Sequence, residues 1–422
     1  MPPLALVADR LIDGTGRDPV EHAAVVIDAG RITAAGPRSS VDIPADALVI
    51  EDDDLTLLPG FMDMHVHLGC KQGMDYTRLL MTPRSLTLLY AVPNCASTLQ
   101  AGVTTVRDAG LTPVGVRLAA EAGFFPAPRM ELAVSILGQT GGHAEDHMPC
   151  GCRLPLDSGV DIPHGVVDGE AEVLRKVREV LRAGADWIKL CTSGGVLSPG
   201  DMPDAPQMTV AEIGTAVEEA ATVGKRVMAH AMSARGVKNA LVAGVASIEH
   251  GCLLDEEAIA LMIEMGAWLV PTLVAPLDVI ANSEKPGGGG LPKELVDKAR
   301  AVAGRHRESV TAAISAGVRV AMGTDAAVGP HGANLRELAL MVECGMTPME
   351  AITASTLRSA ELLGREAELG TLKAGMLADV VAVNGDPVAD IGLLALPENI
   401  RVVVKDGAVV RDARPQRLAT HP

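Results

Sequence analysis

Seven glycines divide most of this chain into repeating units and constrain its fold more than any other feature. Each glycine follows an amphipathic run rich in Ala, Leu and Glu and precedes a short run of β-branched or other apolar residues. A glycine in this place is typical of the left-handed residue that ends a helix before the chain turns into a strand. The seven are Gly102, Gly123, Gly184, Gly224, Gly244, Gly266 and Gly317.

The runs that follow these glycines are predicted strands, and one further strand precedes them. Helices that alternate with largely apolar strands predict a parallel sheet, and eight such units are typical of the (β/α)8 TIM barrel of α/β proteins. We therefore predict a barrel over residues 58–365. Its predicted strands are residues 61–65, 103–106, 130–134, 187–190, 226–230, 247–250, 268–271 and 318–322, and residues 334–344 and 347–363 are predicted outer helices.

The two ends of the chain have a different pattern. Residues 4–36 and 377–412 both contain β-branched runs separated by glycine-containing turns. Neither end has enough strands to be stable alone. We predict that residues 1–57 and 366–422 pair into one small β-sandwich domain beside the barrel.

The composition excludes several classes of partner. Acidic residues outnumber basic ones by 53 to 36, and the formal net charge of −17 repels nucleic acid and anionic membranes. The N-terminal residues lack a signal-peptide pattern, no apolar run reaches membrane-spanning length, and seven cysteines are an odd number. We therefore expect a cytoplasmic protein that acts on a small molecule, without a nucleic-acid or membrane partner. The apolar faces of an Ala-rich barrel favour a homo-oligomer.

One aperiodic segment, residues 281–292, contains the four-glycine run Gly287 to Gly290. A phosphate-binding loop would continue with Gly-Lys-Ser or Gly-Lys-Thr, which is absent here. The segment is either a mobile lid over the active site or a plain connection.

Polar residues close several of the predicted strands. The C-terminal ends of the strands carry the active site in TIM-barrel enzymes, so these residues are candidate ligands. Neutral imidazoles with a carboxylate are typical ligands of zinc or a similar divalent ion. Lysine is among the residues least often buried, so a lysine in such a strand indicates either a solvent route for its ammonium or a chemical use for its amine. The residues are His65, His67, Lys189, His230, His250 and Asp325.

The motifs around these residues resemble the amidohydrolase superfamily. The resemblance begins with Pro59-Gly60-Phe61-Met62-Asp63-Met64-His65-Val66-His67 and extends over nearly the whole chain to the tail at residues 369–379. The segments Gly141-Gly142-His143, 193–200 and 247–251 are similar, more narrowly, to a branch of binuclear-metal enzymes. That branch contains Xaa-Pro dipeptidases, arginine carboxypeptidases, phenylurea hydrolases and ochratoxin-type amidases.

The resemblance implies two divalent metal ions, with zinc as the first choice, that share a hydroxide. Lys189 would bridge them as a carbamate formed with carbon dioxide. Asp325 would act as general base and then as general acid, and His143 would contact the substrate carbonyl oxygen. The alternative for His143 is a role in ordering its loop. The implied ligands are His65, His67 and Asp325 for one ion and His230 and His250 for the other.

One position departs from the dipeptidase pattern, because Met232 stands where a substrate-binding tyrosine is expected. Methionine donates no hydrogen bond and forms an apolar wall, which favours a less polar substrate. Alternatively Met232 only packs in the core and another residue, such as Arg235, binds a substrate carboxylate. His331 and Asn334 are further candidates for substrate contacts, with surface placement as their alternative.

These residues predict a metal-dependent amidase or peptidase that hydrolyses a linear amide-type C–N bond of a small molecule. The substrate classes are N-acyl amino acids, dipeptides, anilides, ureas and carbamates. A cyclic-amide hydrolase similar to imidazolonepropionase is the alternative reaction, since such enzymes share the lysine. A non-catalytic relative that retains the barrel is a third hypothesis, although all six ligand positions here carry suitable residues.

Overall fold

Each of the eight predicted barrel strands is present in the computed structural model, which describes residues 2–73, 80–145, 147–148, 150–152, 161–285 and 290–414. Residues 286–289, which contain most of the four-glycine run, lie outside this part of the chain. The strands are β1 Leu4–Leu11, β2 Val20–Asp28, β3 Arg31–Pro37, β4 Leu48–Glu51, β5 Leu55–Pro59, β6 Phe61–Val66, β7 Val103–Asp108, β8 Arg129–Leu132, β9 Ile136–Leu137, β10 Trp187–Cys191, β11 Arg226–Ser233, β12 Ser247–Leu253, β13 Trp268–Val270, β14 Arg319–Val320, β15 Val380–Asn384, β16 Ile400–Lys405 and β17 Ala408–Asp412.

Helices alternate with these strands through the barrel. All seven glycines of the repeating pattern have a positive φ, between 62° and 93°, as expected for left-handed caps. No helix in the described residues combines the length and the hydropathy that a membrane crossing needs. The α-helices are α1 Arg84–Leu89, α2 Ala91–Gln100, α3 Val114–Glu121, α4 Glu170–Arg182, α5 Val210–Ala221, α6 Ala234–Val242, α7 Glu256–Glu264, α8 Val274–Ser283, α9 Lys293–Ser315, α10 Arg336–Glu343, α11 Pro348–Ala354 and α12 Leu357–Leu363.

The barrel strands form two parallel sheets that join on both sides. Strands β6, β7 and β8 form one sheet, and β9 to β14 form the other. On one side the Asp186 N–H donates to Leu132 O at 2.7 Å, and on the other the Met64 N–H donates to Met322 O at 2.8 Å. The fold is therefore of the TIM-barrel type, with β8 and β9 as two parts of the third strand.

Strands from both ends of the chain share one sheet. Its order is β17-β16-β15-β5-β1-β2-β3, and β4 pairs with β1. The link between the two ends is β15, which runs antiparallel to both β5 and β16. The hydrogen bonds thus form a single sheet of eight strands, whereas the predicted sandwich would have two sheets. One apolar cluster contains side chains from both the N-terminal and the C-terminal strands of this sheet.

Alternating residues of β15 connect this sheet to the barrel. Val381 and Val383 belong to the same apolar cluster as the barrel strands and helices, while Val380 and Ala382 pack in the cluster of the sheet. Side chains alternate between the faces of a strand, so one strand contributes to both cores.

The predicted helix over residues 347–363 is instead two helices. The first of them, α11, is capped by Thr347, whose side chain forms a capping box with Glu350. The break falls at Ser355, because its carbonyl accepts a hydrogen bond from the Met62 N–H at 2.7 Å and its hydroxyl donates to Met62 O at 3.0 Å. Contact with strand β6 therefore overrides the local helical pattern.

Candidate metal centre

The six predicted ligand residues come together at one end of the barrel, where they line a cavity of about 210 Å³. They lie within the barrel strands or in the segments that follow them, on the side where the C-terminal ends of the strands open a TIM barrel. They are His65 and His67 at the end of β6, Lys189 in β10, His230 in β11, His250 in β12 and Asp325 after β14.

Three of these residues form a compact group that fits one metal ion. One ligand atom each of His65, His67 and Asp325 lies within 4.8 Å of the other two. His67 Nε2 is 3.2 Å and His65 Nε2 is 3.6 Å from Asp325 Oδ1. The Nδ1 atoms of both histidines form hydrogen bonds on the side away from Asp325. His65 Nδ1 lies 2.7 Å from Glu249 Oε2, and His67 Nδ1 donates to Gly110 O at 3.0 Å. When the rings are neutral, each Nε2 has a lone pair for a metal ion.

His230 and His250 form a second group, with ring centroids 4.6 Å apart. His230 Nε2 is 3.1 Å from Gly194 O. A carbonyl oxygen only accepts, so Nε2 carries the proton and Nδ1 keeps the lone pair. His250 Nδ1 is 2.7 Å from Thr272 Oγ1, and when Nδ1 donates to this hydroxyl, Nε2 of His250 has a lone pair for a metal ion.

Lys189 has an unusual environment between these groups. Its side chain is 2% exposed, and Nζ has no hydrogen-bond partner among the described residues. Burial lowers the pKa of this amine. A buried ammonium without a partner is strongly unfavourable, so the site fits a neutral amine or a modified one.

The pKa values of the other ligands are shifted in different directions by burial and by neighbouring groups. Burial lowers the pKa of His65, His230 and His250 well below the ordinary value, so these rings are neutral. Burial would raise the pKa of Asp325, but the hydrogen bond from His67 and the surrounding positive charge outweigh it and hold this pKa below its usual range. For His67, burial would lower the pKa, but the hydrogen bond and charge of Asp325 raise it.

Backbone strain is concentrated around the same site. His250, Thr272 and Asp325 have φ angles of 73°, 57° and 58°, in the left-handed region that non-glycine residues rarely adopt. Such conformations persist where the surrounding structure fixes them, and they cluster at functional sites. Here the strained residues are two predicted ligands, His250 and Asp325, and Thr272, whose hydroxyl contacts His250.

A buried charge network behind His65 was not predicted from the sequence. Glu249 is fully buried and faces both His65 and Arg107, whose guanidinium donates to Glu249 Oε1 at 2.8 Å. Arg107 also donates to Ser247 Oγ at 2.9 Å and to Met64 O at 2.8 Å. The sequence signal was a carboxylate inside an apolar strand, which is rarely buried without a partner.

A second network orients the loop that carries Asp325. Asp63 is fully buried and accepts hydrogen bonds from the Thr324 hydroxyl at 2.6 Å and from Asn334 Nδ2 at 2.7 Å. It also accepts from the backbone N–H groups of His65 and Thr324, both at 3.1 Å. Asp63 therefore ties the first and the eighth barrel strands together beside the ligands.

His143 lies against the second group of ligands and lines the cavity. Its ring stacks on His230 at a centroid distance of 4.2 Å, and its Nδ1 is 2.6 Å from Ser198 Oγ. Ser198 donates its own proton to Asp201 at 2.5 Å, so His143 Nδ1 is the donor in this pair and Nε2 is left for a substrate. Burial lowers the pKa of His143, and the charge of Asp201 opposes that shift.

The other predicted substrate contacts have different positions. Met232 lines the cavity, whereas Arg235 bonds to Asn239 on the exposed face of α6. His331 is not among the described residues that line the cavity. It is buried beside Thr98, 3.2 Å from Nδ1 to Oγ1, so the surface alternative is wrong, and its contact with a substrate stays a prediction. Asn334 is likewise buried, against Asp63.

Known proteins share this architecture. The model described as the Amidohydrolase family matches residues 56–410. The ochratoxinase of Aspergillus niger is 35% identical over 422 residues, which cover 96% of this chain and 86% of the relative. The crystal structure of a Xaa-Pro dipeptidase with bound methionine has a TM-score of 0.87 and 36% identity, and covers 97% of this chain and 100% of that one. The imidazolonepropionase of Herpetosiphon aurantiacus is 24% identical, over 93% of this chain and 91% of the relative.

The family match covers the barrel and most of the C-terminal sheet strands β15 to β17. Clustered imidazoles and a carboxylate at a barrel mouth are a donor set that supports metal-assisted hydrolysis. The chain therefore belongs to the amidohydrolase family and is a metal-dependent hydrolase of carbon–nitrogen bonds.

Proposed function

We propose that this hydrolase cleaves the linear amide-type bond of a small molecule with apolar groups near that bond. N-acyl amino acids, dipeptides, anilides, ureas and carbamates are the candidate classes. The ochratoxinase and the dipeptidase support a linear substrate, and the more distant imidazolonepropionase makes ring opening the second choice. Met232 supports the apolar character, because it adds a thioether wall where a hydroxyl was expected.

The donor set supports two metal ions, and zinc suits neutral imidazoles combined with a carboxylate. The single observation that carries this proposal is the buried amine of Lys189, which has no hydrogen-bond partner in the part of the chain that the structure describes. A neutral amine reacts with carbon dioxide by forming an N–C bond and releasing one proton, and the resulting carbamate is a carboxylate-like ligand. In this proposal His65, His67 and Asp325 hold one ion, His230 and His250 hold the other, and Lys189 contacts both.

When bound, the ions supply a nucleophilic water at neutral pH and polarise the substrate carbonyl. Asp325 accepts a proton from that water at a carboxylate oxygen as the new C–O bond forms, and it returns the proton to the leaving nitrogen as the C–N bond breaks. His143 directs Nε2 toward the carbonyl oxygen and donates to it only when the ring is protonated, a form that burial disfavours and that Asp201, 3.8 Å away, favours.

The role of Lys189 can be tested with two variants. Lys189→Glu supplies a permanent carboxylate, and Lys189→Met has similar length without an amine. Metal-free protein is reloaded with zinc in carbon-dioxide-free buffer or in bicarbonate, and bound metal and hydrolysis of an N-acyl amino acid panel are measured. We expect the wild type to need bicarbonate, Lys189→Glu to bind metal without it, and Lys189→Met to lose most metal and activity.

Two results would contradict the proposal separately. A wild type indifferent to bicarbonate together with an active Lys189→Met variant would exclude the carbamate. A fully loaded wild type that hydrolyses none of the linear substrates but opens a cyclic amide would exclude the linear class.

A further inference from the structure

One side of the cavity is apolar and contains a single unexplained polar atom. Five buried side chains from different elements form this side, which we call the apolar lobe. They lie on the loop after β10, on β11, on β12, on α8 and on α9. The residues are Val196, Met232, Cys252, Val279 and Val302.

His306 lies on α9 one helical turn beyond Val302, and it lines the same cavity. Its side chain is buried, and Nε2 is 3.0 Å from the carbonyl oxygen of His250. That oxygen only accepts, so Nε2 carries the proton and Nδ1 presents a lone pair. Nδ1 has no hydrogen-bond partner among the described residues.

An acceptor of this kind calls for a ligand. Leaving a buried acceptor unpaired costs about 1–3 kcal/mol, which is why nearly all such atoms in folded proteins have a partner. The hydrogen bond to the His250 carbonyl accounts for Nε2 of this imidazole, and the Pro271 carbonyl is a second backbone acceptor beside the ring. Carbonyl oxygens donate no hydrogen bond, so neither of them pairs a lone pair on Nδ1, whereas a donor that enters the cavity would.

We propose that the apolar lobe binds the side group next to the scissile bond, and that His306 Nδ1 accepts a hydrogen bond from an O–H or N–H at the end of that group. The inference rests on the proposed function for the position of the bond. The favoured occupant is an aromatic ring with a hydroxyl or ring N–H. The whole cavity, with the predicted metal ligands on its other side, measures about 210 Å³, and a cavity of about 150 Å³ is large enough for benzene, so one ring is within its total volume.

The lobe can be tested without any hydrolysis. The probes are p-cresol and p-xylene, which have nearly the same shape and differ by a hydroxyl in place of a methyl group. Their dissociation constants from the zinc-loaded wild type are measured by ligand-detected NMR. We expect p-cresol to bind about tenfold more tightly, since only it pairs His306 Nδ1, and each tenfold corresponds to about 1.4 kcal/mol.

His306→Gln is the decisive variant. Its amide nitrogen can still donate to His250 O, but it offers no acceptor at the position of Nδ1. We expect the preference for p-cresol to fall to about twofold or less. His22→Gln, at an exposed histidine of β2, is the matched control and should keep the wild-type preference. Val302→Phe fills the lobe and should weaken both probes.

The outcomes separate this inference from the proposed function. Equal binding of the two probes to the wild type, or an unchanged preference in His306→Gln, would overturn the role of His306. The next measurement compares hydrolysis of N-acetyltyrosine with that of N-acetylphenylalanine. If neither N-acetyl amino acid is hydrolysed while p-cresol is still preferred, the linear-amide proposal loses support, and the inference that His306 accepts a hydrogen bond in the apolar lobe is retained.

Discussion

At the scale of single residues, this site is defined by which nitrogen carries each proton. His67 and His230 donate to backbone carbonyls, and His65 and His250 use Nδ1 toward Glu249 and Thr272. His65, His67 and His230 in their neutral forms therefore keep one defined lone pair at the cavity, and His250 does so when its Nδ1 donates to the Thr272 hydroxyl. Outer contacts of this kind orient metal ligands and typically affect metal affinity or activity by about 10- to 100-fold.

Glu249 provides the sharpest test of this view. In Glu249→Gln the side-chain amide no longer gives His65 and Arg107 a shared negative acceptor. We expect zinc affinity to fall by about 10- to 100-fold and the free energy of unfolding to fall by about 3–5 kcal/mol, because Arg107 stays buried without its partner. Zinc competition titration and urea unfolding measure the two effects.

The double variant Arg107→Met/Glu249→Gln is the control. It removes the unpaired charge, so stability should recover while zinc affinity stays low. If zinc affinity recovers together with stability, Glu249 acts only through folding and not by orienting His65.

The sequence makes some of these residues visible and hides others. His65, His230 and His250 interrupt apolar strands at their ends, so the sequence alone marks them as candidate ligands. Arg107 and Glu249 lie on different strands and are 142 residues apart, so their partnership depends on how the barrel closes. His306 lies in a long helix rich in charged residues, where one more polar residue gives no signal.

At the scale of elements, helix α9 organises one side of the site through residues four apart on one face. Lys298, Val302 and His306 are all buried, and each contacts a different part of the site. Lys298 Nζ donates to the carbonyls of Ser198 and Asp201 and so fixes the loop that holds His143. This face of α9 thus contacts the loop beside His143 through Lys298 and the backbone of His250 through His306.

Lys298→Met tests whether this loop matters for catalysis. Removing the ammonium frees the Ser198–Asp201 turn, so we expect kcat to fall by about 10- to 100-fold with zinc content unchanged. Amide exchange of residues 194–206 should also become faster. Lys293→Met on the same helix is the control, since that side chain is 87% exposed and its surface ion pair is worth at most about 1 kcal/mol. Wild-type kcat alongside accelerated loop exchange would separate the loop from catalysis.

The elements also show where sequence patterns stop being sufficient. Glycine caps and apolar runs predict all eight barrel strands, because those signals are local. The division of the third strand and the break at Ser355 depend on hydrogen bonds to other strands. Local periodicity carries no information about such partners.

At the scale of the whole molecule, the barrel and the sheet share apolar cores and ion pairs. Val381 and Val403 belong to the cluster of the barrel, while Val380 and Val404 belong to that of the sheet. Arg129, on β8, donates to Asp379 at 2.8 Å and also pairs with Asp406 beyond β16. The sequence indicated that the two ends pair, but this register and these contacts follow only from three-dimensional packing.

This shared packing predicts that the sheet and the barrel unfold together in one cooperative transition. Val404→Ala removes two buried methyl groups from the sheet and should lower the free energy of unfolding by about 2 kcal/mol. Both tryptophans, Trp187 and Trp268, lie in barrel strands, so their fluorescence reports the barrel alone. We expect the urea midpoint from tryptophan fluorescence to fall as far as the midpoint from far-UV circular dichroism. Val409→Ala, at a position 40% exposed on β17, should change the free energy of unfolding by no more than about 0.5 kcal/mol and leave both midpoints nearly unchanged. An unchanged fluorescence midpoint in Val404→Ala, with a lowered dichroism midpoint, would mean that the sheet unfolds separately from the barrel.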